Sequence, residues 1–139
     1  MRVVVDANVH VSALIGTGPP ARIIEVWQSQ RIFDVVMCPE LANEIRRVCA
    51  RTHLRRRIPE ADVSIYLLTL GTHAIQMPDP ESIEEATRDR SDDYLVALAR
   101  TANADLIVSG DRDLTEWAEQ QPPVVTPAEF EAMLASEDR

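Results

Sequence analysis

The sequence contains no lysine, and all 14 of its basic residues are arginines. Phosphoacceptor α/β domains, such as response-regulator receivers and aspartate-based phosphatases, need a lysine to neutralise the phosphoryl group, so this absence argues against them. Cysteine is nearly absent too. Cys38 and Cys49 do not make a disulfide framework, and a zinc site would need two further ligands that are not evident. Both cysteines are expected to be small, buried, apolar residues.

Long hydrophobic runs are also missing. No apolar run approaches the roughly 20 residues that a membrane helix needs. The first apolar stretch meets a charge at Asp6, too early for the apolar region of a signal peptide. We therefore expect no membrane segment and a cytoplasmic location.

Apolar residues make up 45% of the 139 residues, which is enough for a hydrophobic core in one domain, residues 1–139. Apolar patterning predicts strands that alternate with helices, and hence an α/β fold with a parallel sheet covered by helices on both faces. Ser91 is the expected N-cap of the fifth helix. The predicted strands are 2–6, 33–38, 73–77, 105–111 and 124–126, and the predicted helices are 7–15, 21–30, 39–51, 60–70, 92–103 and 127–135.

Acidic residues fall at the ends of several of these elements. Asp6 follows the first strand, and Asp111 follows the strand that contains LIV. Ligands of open α/β sheets bind beyond the carboxyl ends of the strands, so these two side chains are expected to line one crevice. Asp92 and Asp93 lie in the first turn of a helix, and Glu44 lies beside the apolar stripe of another.

Each acid also has a purely structural interpretation. Asp6 can simply end a strand, and acids in the first turn of a helix gain about 0.3–1 kcal/mol from the helix dipole. Glu44 can pair with Arg47 one turn later. Asp111 and Asp113 are common turn residues. Singly, several of these acids need no further explanation, but four acids at converging element ends are harder to explain by structure alone.

Converging carboxylates have a chemical consequence. Carboxylates within a few ångströms raise each other's pKa, and a divalent cation removes that conflict. Oxygen ligands select Mg²⁺ or Mn²⁺ rather than zinc. Such an ion activates water and steadies the oxygens of a phosphoryl displacement, so the pattern suits metal-dependent phosphodiester cleavage.

Three segments in this order, VVVDANVHVSAL, PELANEI and SDDYLVALARTANADLIVSGDRDL, resemble the PIN domain and, within it, the bacterial VapC-like toxins. The resemblance covers nearly the whole chain, and ADLIVSGDRDL is its most specific part. It implies a three-layer α/β/α PIN-like fold with a central, mainly parallel sheet. It also implies hydrolysis of RNA by an activated water in the presence of Mg²⁺ or Mn²⁺.

The resemblance also implies roles for individual residues. The catalytic and metal-binding acids fall on Asp6, Glu44, Asp93 and Asp111. Asp93 keeps the family's spacing better than its neighbour, although the doublet leaves this assignment open by one residue. Supporting positions fall on Asn8, Ser12, Asp92, Ser109 and Asp113. VapC-like proteins are toxins that a cognate antitoxin silences, and they commonly form homodimers.

Six of the arginines lie in one short segment, at Arg46, Arg47, Arg51, Arg55, Arg56 and Arg57. They form either a solvated helix face or a surface that binds the phosphates of RNA, since arginine grips phosphate with two hydrogen bonds. An acidic antitoxin is another partner for them. Aromatic residues are only 4% of the chain, so the sequence offers no evident platform for stacking RNA bases.

The sequence thus predicts a metal-dependent endoribonuclease, the toxin of a toxin–antitoxin pair. One alternative is a PIN nuclease with a housekeeping role in RNA processing and no antitoxin. Another is a non-catalytic binding module in which the acids are structural.

Overall fold

The structure, a computed structural model, describes residues 1–81, 90–116 and 121–137, without the side chains of residues 90–93 and 137. Its centre is a five-stranded sheet in the order β3-β2-β1-β4-β5, in which every neighbouring pair is parallel. Val4 of the central strand pairs with Val36 on one side and Ile107 on the other. The strands are β1 (Arg2–Val5), β2 (Asp34–Met37), β3 (Ile75–Gln76), β4 (Leu106–Val108) and β5 (Val124–Val125).

Helices cover both faces of this sheet, in a three-layer α/β/α arrangement. α1 packs against α2 and α3, α2 packs against α8, and α6 packs against β1 and β4. The strands β1, β2 and β3 follow one another toward one edge of the sheet, and the chain then returns to β4 on the other side of β1. Because crossovers between parallel strands are right-handed, this reversal places α6 on the opposite face of the sheet. The helices are α1 (Ala7–Ile15), α2 (Gly18–Gln30), α3 (Pro39–Cys49), α4 (Thr52–Arg55), α5 (Glu60–His73), α6 (Arg90–Thr101), α7 (Arg112–Thr115) and α8 (Pro127–Glu137).

The core consists of the sheet and the inner faces of these helices. Residues 3–5 and 107–108 are completely buried, as expected for parallel strands that are covered on both faces. The stripe predicted for α3, Leu41, Ile45, Val48 and Cys49, is buried, and α3 packs against α1. Deleting one such side chain to alanine typically costs about 2–5 kcal/mol. The three-layer α/β/α prediction is therefore confirmed.

The predicted cysteine environment is also confirmed. Cys38 and Cys49 are both buried and form no disulfide. Burial raises the pKa of the Cys38 thiol to about 11, so this side chain stays a neutral, apolar group.

Several predicted boundaries are wrong. The second helix begins at Gly18 rather than residue 21, because the two prolines that follow suit a first turn, where their missing N–H groups have no partner anyway. The strand predicted at 105–111 ends at Val108. The strand predicted at 73–77 is only Ile75–Gln76, because α5 continues through His73.

The predicted N-cap of the fifth helix is also wrong. α6 already includes Arg90, so Ser91 lies inside the helix. The two single-turn helices α4 and α7 were not predicted from the apolar pattern, because one turn is too short to show a helical period. In the described residues, no helix has both the length and the apolar character that are needed to cross a membrane.

Candidate active site

The site lies where the strand order reverses, at the carboxyl ends of β1 and β4. The backbone N–H of Asp6, the residue after β1, donates to the carbonyl of Val108 at the end of β4 (2.9 Å). Asp6 is also the N-cap of α1, and its Oδ1 accepts a hydrogen bond from the backbone of Asn8 (3.4 Å). The end of β1 and the start of α1 therefore both hold the carboxylate of Asp6 in place.

Ser109 connects the acids of the two strands. It is completely buried, and its Oγ donates to Oδ2 of Asp6 (2.8 Å). The same oxygen accepts a hydrogen bond from the backbone N–H of Asp111 (3.0 Å). Asp111 is the N-cap of α7, and its Oδ1 accepts from the backbone of Asp113 (2.9 Å). One serine thus sets the spacing between two predicted ligands.

Glu44 reaches the site from the opposite side, in the middle of α3. Its side chain is half-buried, and its Oε2 accepts a hydrogen bond from the hydroxyl of Tyr94 on α6. Burial, and then the charge and hydrogen bond of Glu44, raise the pKa of Tyr94, so this phenol stays protonated and remains a donor. The contact fixes one carboxylate oxygen of Glu44, and within residues 1–81, 94–116 and 121–136 the other accepts no hydrogen bond from a side chain.

Two of the other predicted acids act electrostatically on Asp6. Burial is the main reason why the pKa of Asp6 is raised, and the charges of Glu44 and Asp111 raise it further. Hydrogen bonds from Ser109 and Asn8 oppose the shift and do not cancel it. The folded chain therefore places Glu44 and Asp111 near enough to Asp6 to make its negative charge less favourable.

The donor set fits a hard divalent cation. All three groups are carboxylates, which Mg²⁺ and Mn²⁺ prefer, and a cation would offset the charge that burial and proximity make unfavourable. Among the described side chains, no group of three or more acids, histidines or cysteines is close enough to hold an ion by itself. The predicted fourth ligand, Asp93, and its neighbour Asp92 have side chains outside the described residues.

A cleft of about 450 Å³ opens beside Asp6 and Asp111. Asn8 and Ser12, two of the predicted supporting residues, line it from one face of α1. In the described part of the chain, neither side chain donates to an acid of the site. Asp113 is exposed, and its contribution to the site is the backbone hydrogen bond to Asp111.

The arginine segment runs from the second half of α3 through α4 to the start of α5. All six predicted side chains are exposed, which fits both a solvated face and a phosphate-binding surface. Arg55 forms an ion pair with Glu60 (3.2 Å). Arg46 and Arg47 lie on the outer side of α3, away from its buried stripe, as predicted.

Two polar residues were missed in the sequence. Tyr94 follows the predicted ligand directly, but nothing in its neighbourhood indicates that its hydroxyl reaches Glu44 across 50 residues. His10 is completely buried in α1 and shares a hydrogen bond of 2.6 Å with the hydroxyl of Tyr66. Burial lowers the pKa of His10 to about 3, so this imidazole is neutral in the folded chain.

A comparison with models of protein families finds a match to the PIN domain over residues 2–113. The chain belongs to the PIN domain family. PIN domains are generally nucleases. The family part of the predicted resemblance is thereby confirmed, and the matched region contains all four predicted acids. None of the curated proteins matches the chain.

Solved structures share the fold of this PIN domain at low sequence identity. A PilT N-terminus domain protein from the archaeon Sulfolobus solfataricus has a TM-score of 0.58 and 13% identity, over 96% of this chain and 92% of that one. A chain of VapBC2 from Rickettsia felis, bound to a DNA fragment from their promoter, has a TM-score of 0.60 and 12% identity, over 91% and 98%. The PIN domain of human SMG5 has a TM-score of 0.51 and 11% identity, over 96% and 99%. Identities this low establish the fold alone.

Proposed function

We propose that this PIN domain is a metal-dependent endoribonuclease and the toxin of a toxin–antitoxin pair. The convergence of Asp6, Glu44 and Asp111 at the switch point of the sheet carries the proposal. A buried carboxylate whose charge two further carboxylates make less favourable has little structural value, whereas the three groups are suitable ligands for a cation. The match to a family of nucleases supports the same chemistry.

Each acid has a defined task in the proposed reaction. Asp6 and Asp111, which Ser109 holds in a fixed relation, would hold Mg²⁺ or Mn²⁺ together with Glu44 and the predicted ligand Asp93. A cation held there would supply a water of lowered pKa and stabilise the negative charge on the phosphoryl oxygens. Cleavage leaves 5′-phosphate and 3′-hydroxyl ends. Tyr94 keeps Glu44 oriented throughout, since its phenol remains protonated.

The nuclease proposal is tested with purified protein and total RNA in Mg²⁺, in Mn²⁺ and in EDTA. We expect cleavage with either cation, none in EDTA, and none for Asp6→Asn with either cation. Asp34→Asn is the matched control, because it makes the same change at an exposed position on β2 and should cleave normally. Full activity of Asp6→Asn, or equal cleavage in EDTA, would overturn the proposal.

The toxin role rests on the family resemblance and on the fold shared with a chain of VapBC2. Under this proposal the chain acts in the cytoplasm, forms a homodimer and binds a cognate antitoxin. Induced expression should arrest growth, Asp6→Asn should relieve the arrest, and co-expression of a small protein encoded beside the chain should silence it. Cleavage of RNA without growth arrest would favour the housekeeping alternative.

A further inference from the structure

The cleft beside Asp6 and Asp111 is also lined by apolar residues that the metal chemistry does not use. They are Val9 of α1, Pro20 of α2 and Pro127 of α8. The acids therefore share the cleft with apolar side chains from three helices. A volume of about 450 Å³ is in the usual range for sites that enclose a small planar group.

The lining of the cleft is unsuited to phosphate. None of the eight residues that line it is basic, and two of them are carboxylates. α2 and α8 both begin beside the cleft, and the prolines in their first turns lack the N–H groups that could bind an anion. The occupant that fits is uncharged, with an apolar face and polar edges.

Polar side chains suited to such edges come from α1. Asn8 and Ser12 are four residues apart on α1 and thus project from the same face of the helix into the cleft. In the described part of the chain their side chains make no hydrogen bond to the acids, so their donors and acceptors are available to a ligand. Gly110 leaves the entrance open, since a Cβ at this position would meet nothing within 4 Å.

We propose that this cleft binds one unstacked nucleobase of single-stranded RNA, next to the phosphodiester that is cut. The base packs against the prolines, and Asn8 and Ser12 contact its edge. This inference rests on the proposed nuclease function and narrows its substrate to RNA that is unpaired at the cleavage site. Proline faces take the place of the aromatic platform that the sequence lacks.

Binding of a short, unstructured, fluorescent RNA to Asp6→Asn in Mg²⁺ tests the proposal without cleavage. A series of RNAs carries one abasic nucleotide at each position in turn. We expect one position at which the missing base weakens binding roughly tenfold, as for the loss of a stacked base. Adding Ser12→Leu fills the cleft and should weaken binding of the intact RNA by a similar factor, while removing the sensitivity to the abasic position.

Ser64→Leu is the matched control, because it adds the same side chain to an exposed position of α5 outside the cleft. Its abasic profile should equal that of Asp6→Asn alone. Absent binding, a flat abasic profile, or a sensitive position that persists in Ser12→Leu would overturn the proposal. A flat abasic profile together with an RNA affinity that Ser12→Leu does not change would indicate that a protein side chain occupies the cleft. Failure of the nuclease proposal is recognised independently, because the unmodified chain would then not cut total RNA.

Discussion

Replacing Asp6 with asparagine is expected to stabilise the cation-free protein, although it abolishes cleavage. Asparagine has nearly the same size and caps a helix as well as aspartate does, so the start of α1 is kept. The charge is removed, and one acceptor oxygen becomes an amide NH₂ that faces Oγ of Ser109, so the serine has to accept where it now donates. A carboxylate that is 7% exposed and faces Glu44 and Asp111 becomes a neutral amide.

The size of the expected gain in stability follows from a balance of opposing contributions. The pKa of Asp6 is higher in the folded chain than in the unfolded chain, so at neutral pH the ionised group destabilises the fold. Burial and two like charges outweigh the hydrogen bonds from Ser109 and Asn8. Relieving such a functional conflict commonly adds about 0.5–2 kcal/mol to the free energy of unfolding. For a chain of this length, about 1 kcal/mol corresponds to a rise in Tm of roughly 3–5 °C.

Adding a divalent cation should reverse the order of stability of the unmodified chain and Asp6→Asn. The unmodified chain gains stability from a cation that binds only the folded state, and the gain grows with the cation concentration. Asp6→Asn has lost one ligand of the proposed site and should gain much less. Its advantage in EDTA should therefore disappear as Mn²⁺ is added.

Scanning calorimetry in EDTA and in Mn²⁺ measures both effects. Asp34→Asn is again the control, since an exposed substitution of the same kind should change stability by no more than about 0.5 kcal/mol. A lower Tm of Asp6→Asn than of the unmodified chain in EDTA would refute the reasoning about buried charge. An equal rise in Tm for both proteins in Mn²⁺ would refute the assignment of Asp6 as a ligand.

Three further substitutions probe the contacts around this site and the surface beyond it. Tyr94→Phe removes the donor that orients Glu44 and should weaken Mn²⁺ binding about 10–100-fold in a calorimetric titration, and unchanged affinity would contradict the positioning role. His10 has a pKa of about 3 in the folded chain, below its usual 6.5, so the unfolded state takes up its proton first as the pH falls. Urea unfolding should show that His10 lowers the free energy of unfolding by about 2 kcal/mol as the pH falls from 7 to 5. The His10→Phe variant should lack this part of the loss. Replacing Arg46 and Arg47 by glutamine should lower the slope of log Kd for single-stranded RNA against log salt by roughly 0.7 for each arginine, and an unchanged slope would identify them as solvated surface.

The positions of Asp6 and Asp111 were predictable from the sequence because topology determines them. A parallel sheet brings the carboxyl ends of its strands to one edge, so any acid that directly follows β1 or β4 must lie at that edge. The apolar runs that identify those strands are unambiguous, since both faces are covered. An uncertainty of a few residues in the strand boundaries does not move an acid away from this edge.

The role of Glu44 could not be predicted in this way. An acid beside the apolar stripe of a helix pairs as readily with the arginine one turn later as with a distant partner, and local spacing cannot distinguish the two. Only the packing of α3 against the rest of the fold turns Glu44 toward Asp6. The contact with Tyr94 and the burial of His10 have the same origin, because each depends on residues more than 45 positions away.

α3 carries both kinds of charge that the proposed reaction needs. Glu44 is half-buried toward the site, and Arg47, three residues later, is exposed on a neighbouring part of the same face. An RNA strand held at the acids would therefore have Arg47 within one turn of Glu44 on the same helix. A net charge of −9 does not oppose such binding, because the local field, with a cation at the acids and arginines beside them, determines where a phosphate chain lies.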